Sequence, residues 1–100
     1  MAFDINLVAI SRRANIYTVV SQVNAAVDTG ALKRDGLLHD VSHNAGYIDE
    51  AALIAKSDLA KYFLPPESAW ARRAQDWHSS LPAEATFILV HLFEWESGYD

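Results

Sequence analysis

The 100-residue chain contains no cysteine. A disulfide framework, a thiolate metal centre and a thiol nucleophile are therefore excluded, and the redox compartment is left open with the cytoplasm as the default expectation. Long apolar runs are missing too. None reaches the roughly 18 residues that cross a bilayer, and the opening Met-Ala-Phe-Asp-Ile-Asn has neither the basic region nor the apolar stretch of a signal peptide. The sequence predicts a protein that neither spans a membrane nor leaves the cell by that route. Basic residues are scarce, 8 Lys plus Arg against 13 Asp plus Glu, for a net charge of −5. The deficit is uneven. Residues 1–34 hold Arg12, Arg13, Lys33 and Arg34 against Asp4 and Asp28, a balance of +2, whereas residues 35–100 hold four cations against eleven acids, a balance of −7. No basic stripe exists to neutralise phosphates, so neither nucleic acid nor an anionic membrane is expected as a partner.

What is present suffices for a packed core. The hydrophobic share is 51%, with three Trp, four Tyr and four Phe, and the length suits one domain over residues 1–100. Phe3-Asp4-Ile5-Asn6-Leu7 alternates apolar and polar, which fits a short strand or an extended N-terminal arm over residues 3–10. From about residue 12 to 28, Ile16, Val20, Val23 and Val27 recur at helical spacing and Gly30 follows as a stop, which predicts a first helix. Asp35 as a cap, with Leu37, Leu38, Val41 and Ala45 on one side and Gly46 as a stop, predicts a second over about 36–45. Asp49 as N-cap, with Ala52, Ala55, Leu59 and Tyr62 on the inner face, predicts a third that ends at Pro65-Pro66. Trp70, Ala74 and Trp77 mark a fourth. Pro82 opens a last segment in which residues 87–92 are apolar except for His91, and residues 83–95 can be helix or strand because so short an apolar run does not reveal its period. The fold expected is an all-α bundle of four to five helices.

The most chemically loaded stretch is Asp35-Gly36-Leu37-Leu38-His39-Asp40-Val41-Ser42-His43. Leu37-Leu38-His39-Asp40 resembles the signature of HD-domain metal-dependent phosphohydrolases. That resemblance implies an all-helical fold and a divalent transition metal held by His39, Asp40 and a distant acid, for which Asp58 is the candidate. A metal-activated water would then hydrolyse a phosphate ester. The upstream histidine of the signature has no counterpart, since no His precedes His39 and Asn15 stands in that region. The run from His39 to Asp49 is also similar to the zinc-protease pattern H-E-x-x-H-x-x-G-x-x-D, in which two His one helical turn apart bind zinc and the intervening acid is the general base. Asp40 takes the place of its Glu. At 100° per residue, however, His39 and His43 fall opposite the apolar side of the second expected helix, where solvent is the usual neighbour.

Other constellations are thinner. A helix, Gly46 turn and helix over about 36–63 allow a helix-turn-helix regulator, yet its second helix would offer Glu50 and Asp58 to the phosphates. No Ser-His-Asp arrangement or Gly-rich phosphate loop can be assembled. Trp70 and Trp77 read as core by their spacing. Trp95 and Tyr99, flanked by Glu94 and Glu96, read as interface anchors ringed by acids. The expectation is a non-enzymatic acidic interaction protein, without cofactor, that binds a larger basic protein as an inhibitor, an immunity or anti-defence factor, or an accessory subunit. A metal phosphohydrolase is the alternative.

Overall fold

β-branched and aromatic residues crowd the segment Ile16-Tyr17-Thr18-Val19-Val20, and such side chains lose rotamer freedom in a helix but fit a pleated surface. In the computed structural model, which describes residues 2–41 and 49–95, this segment is a strand, and the helical bundle gives way to a five-stranded antiparallel sheet. The elements are β1 (Ala2–Arg13), β2 (Ile16–Asn24), α1 (Thr29–Arg34), β3 (His39–Asp40), β4 (Asp49–Ala55), a 3₁₀ helix (Lys56–Tyr62), α2 (Ala69–Ser79) and β5 (Phe87–Trp95). The strand order is β2-β1-β5-β4-β3, every neighbouring pair antiparallel.

Each departure from the helical expectation has a local cause. Of the two forms expected for residues 3–10, a short strand or an extended arm, the strand is the one formed, as part of β1, an interior strand flanked by β2 and β5. The helix expected over about 12–28 is β2, whose valines also satisfy a period of two once a bulge is allowed for. The register slips between Ala9 and Ile10, leaving Val20 as the extra residue. That bulge keeps Val20 and Val23 packed on the core while Val19 turns away from it.

Gly30 does not stop a helix. It lies inside α1, which Asp28 caps by accepting from the Ala31 N–H at 3.0 Å. Gly36 ends α1 instead, at φ 73°, with its N–H bonded to the Lys33 carbonyl and the Leu37 N–H to the Leu32 carbonyl, both at 3.0 Å. This Schellman closure uses a backbone conformation that only glycine adopts without strain. It also consumes the residues that were to begin a helix over 36–45, which leads instead into β3; residues 42–48 lie outside the described part. The expected third helix is β4 followed by the 3₁₀ helix. Only α2 keeps its helical form, and there the inner face is Ala71 and Ala74 rather than Trp70. Of the open choice over residues 83–95, residues 87–95 resolve as strand, β5, central in the sheet with apolar neighbours on both faces, after a turn at residues 83–84.

The core lies between the sheet and the helices. Leu7 and Ala9 of β1, Ala52 and Ile54 of β4, and Ile88 and Val90 of β5 point to one side and cluster with Ala31, Leu32, Leu59, Tyr62 and Ala74. Burying each large side chain among them contributes about 1.5–3 kcal/mol, and truncating the fully buried Ile88 to Ala should cost about 2–5 kcal/mol. The alanines on α2 let it approach closely, and the Trp77 indole N–H ties it to β2 by donating to Ser21 Oγ at 3.0 Å. Between α1 and the 3₁₀ helix the Tyr62 hydroxyl donates to Asp35 Oδ2 at 2.8 Å. That hydrogen bond holds the Asp35 carboxyl below the ordinary carboxylate range and pushes the Tyr62 phenol up.

Candidate interaction surface

Side chains alternate along a strand, so the residues between the core positions form a second face. All helical segments pack on the core side, and among the described residues no element covers the other. The strand registers fix its layout. Gln22, Val8, Leu89 and Leu53 stand in one row across β2, β1, β5 and β4. Val19, Ile10, Phe87 and Ala55 form the next. These two rows make an apolar field in which Leu53 is 52% and Val19 58% exposed.

At one end of this field β1 and β2 run on past the last β5 pairing, Ile10 with Phe87, as a two-stranded ribbon. It carries Arg12, whose guanidinium sits 5.5 Å from the centre of the exposed Tyr17 ring, together with Arg13 and exposed Ile16. At the other end the face turns polar. Asn24, Asn6, His91, Ala51 and His39 share a row, and Asp4, Phe93 and Asp49 the row beyond. Asp49 Oδ1 and His91 Nε2 are hydrogen-bonded at 2.5 Å, both side chains half-buried. The neighbouring Phe93 ring lies 5.2 Å from the imidazole.

The residues proposed for metal binding are not assembled by this fold. His39 and Asp40 are consecutive on β3, so they project to opposite faces, His39 beside Ala51 on the uncovered side and Asp40 beside Glu50 on the helix side. An HD site aims the pair from a helix, whereas His39 and Asp40 here form a two-residue strand. Asp58 lies on the 3₁₀ helix and pairs with Lys61 at 3.1 Å. Among the described residues, no three His, Asp or Glu side chains are grouped to hold a metal ion. Of the expected partner-binding residues, Glu94 and Trp95 end β5, paired in backbone register with Phe3 and Ala2. Glu96 and Tyr99 lie outside the described residues, as does His43. Trp70, expected in the core, is exposed with the Arg73 guanidinium 4.5 Å over its ring.

Nothing in the sequence marks Val8, Ile10, Leu53, Phe87 and Leu89 as surface residues, because hydrophobicity alone does not say which side of a sheet is covered. His91 carried a visible signal, as the single polar residue in an otherwise apolar run. Comparison with protein-family models, with curated proteins and with solved structures finds no match to this chain. No helix among the described residues is long and apolar enough to cross a membrane.

Proposed function

We propose that the chain is a non-enzymatic interaction protein that docks a larger protein on the uncovered face of its sheet, the partner offering an apolar patch bordered by basic side chains. The observation that carries this reading is the apolar field of Val8, Ile10, Val19, Leu53, Phe87 and Leu89, left without a covering layer among the described residues. Contiguous apolar surface of that kind marks contact sites. The field and its polar flanks together, strands about 4.8 Å apart and five alternate positions along β1, outline on the order of 500 Å² in projection, somewhat under one side of a standard interface. The charge of the partner is inferred from the net −5 of the chain and from Asp4 and Asp49 at the polar end of the face.

The test places a photo-crosslinking residue at position 53, identifies the captured protein from native extract and reconstitutes the complex from purified components. The purified pair should bind, weaken as salt rises, and lose at least about tenfold in affinity with Leu53→Asp or Val19→Asp while the helix-side variant Asp76→Lys leaves binding intact. Binding that survives both face variants, or crosslinks only to a second copy of the chain with matching self-association in sedimentation, would overturn the reading.

A further inference from the structure

The helix side of the sheet holds a cleft of about 380 Å³ at the end away from the ribbon, lined by Ile5, Thr29, Gly30, Lys33, Leu38, Glu50 and Leu92. Its floor is a single cross-strand row, Ile5 of β1, Leu92 of β5 and Glu50 of β4, fixed by the register of three neighbouring strands. The opposite wall is α1, which presents Thr29, Gly30 and Lys33, with Leu38 just beyond its Schellman closure. Gly30 keeps this wall thin: a Cβ at that position would meet only Asp28 Oδ1, at 3.5 Å. The volume lies at the lower end of the range of small-molecule sites, about 300–1,000 Å³.

The polar groups are few and opposed. Glu50 is half-buried on the floor and Lys33 stands on the helix wall, and neither has an ion-pair partner among the described residues. A half-buried carboxylate beside apolar side chains gains most from a cation brought into the cleft, and the Lys33 ammonium from an anion. Thr29 adds a hydroxyl that can donate to the same anion. Ile5, Leu38 and Leu92 supply apolar surface between the two charges.

We infer that this cleft binds a free α-amino acid with an apolar side chain, its ammonium group on Glu50, its carboxylate on Lys33 and Thr29, and its side chain against Ile5, Leu38 and Leu92. The site is separate from the uncovered face, on the other side of the sheet. Both charges of the zwitterion are required, so a peptide end, which carries one of them, fits poorly.

The experiment is an NMR titration of the isotope-labelled full chain with L-leucine and L-phenylalanine, alongside isopentylamine, which lacks the carboxylate, and 4-methylpentanoate, which lacks the ammonium. A small ligand of this size should bind in the millimolar range or tighter, shifting the signals of Ile5, Gly30, Leu38 and Leu92. Each single-charge analogue should bind about tenfold or more weakly than leucine, as should leucine to Glu50→Gln or Lys33→Met. Gly30→Leu, which fills the cleft from the thin wall, should abolish the shifts. If that variant does not fold, the analogue series and the two charge variants still decide. Equal binding of the analogues, unchanged affinity in both charge variants, shifts confined to other surfaces, or no shift at about 50 mM ligand would each overturn the assignment.

Discussion

Asp49 and His91 meet diagonally across the β4–β5 ladder, 42 positions apart in sequence, through a 2.5 Å contact between Oδ1 and Nε2 on the face that no helix among the described residues covers. The contact joins the two strands at the polar end of the apolar field. Diagonal cross-strand pairs contribute less than a kcal/mol or so, because water competes for half-exposed groups. A double-mutant cycle with Asp49→Asn and His91→Gln, read by urea unfolding near neutral pH, should give a coupling of about 0.5–1 kcal/mol. A coupling indistinguishable from zero would mean that the pair does not persist in solution.

The register makes neighbouring residues of β4 respond in opposite ways. Ala52 is 1% exposed against the helices, whereas Leu53 is 52% exposed on the other side. An aspartate at 52 would bury a carboxylate without a partner and should unfold the protein or cost several kcal/mol. The same residue at 53 meets water, and its cost should stay within about 1 kcal/mol. Thermal unfolding of Ala52→Asp and Leu53→Asp tests this directly. Similar losses from both would show that the uncovered face is buried in the free protein.

That alternation also explains what the sequence could and could not reveal. Asp49-Glu50-Ala51-Ala52-Leu53-Ile54-Ala55 is rich in good helix formers, and only the pairing with β5 turns Ala52 and Ile54 inward as strand residues. In β2 the bulge at Val20 gives the valines a spacing that mimics a helical stripe. α2 was legible because the spacing of Trp70, Ala74 and Trp77 is a feature of that segment alone, although Ala71 and not Trp70 joins Ala74 on the inner face. The uncovered face was not, since it depends on which side of the sheet the helical segments of the described residues take. Asp49 looked like a helix cap and His91 an oddity until strand pairing brought them together.

Two residues with positive φ should respond in opposite directions. Gly36 at φ 73° has open space around a would-be Cβ, so Gly36→Ala suffers only the left-handed penalty, about 1–2 kcal/mol. Ala14, at φ 53° in the turn between β1 and β2, already bears that strain, and Ala14→Gly should relieve it for a net gain of up to about 1 kcal/mol. Calorimetric melting of the two variants should show one transition lowered and the other raised. A stabilising Gly36→Ala would contradict the Schellman closure of α1.

The Tyr62–Asp35 hydrogen bond should make stability depend on pH at both ends of the scale. Donation from the Tyr62 hydroxyl, chiefly, with help from Arg34, lowers the folded-state pKa of Asp35, although partial desolvation opposes them. A lowered carboxyl pKa contributes stability that is fully present above the unfolded-state value and is lost as pH falls through the folded one. The phenol of Tyr62 is shifted upward by the same bond, by desolvation and by the Asp35 charge. Its contribution is fully present below the ordinary phenol pKa and disappears as pH rises through the folded value. Tyr62→Phe removes the phenol's dependence and the largest cause of the carboxylate's, while keeping the buried ring. Its destabilisation relative to the parent should therefore be greatest across the neutral range and shrink toward strong acid, which chemical unfolding at a series of pH values can follow. A difference that stays constant from neutral to acid pH would show that the hydroxyl does not act through the Asp35 carboxylate.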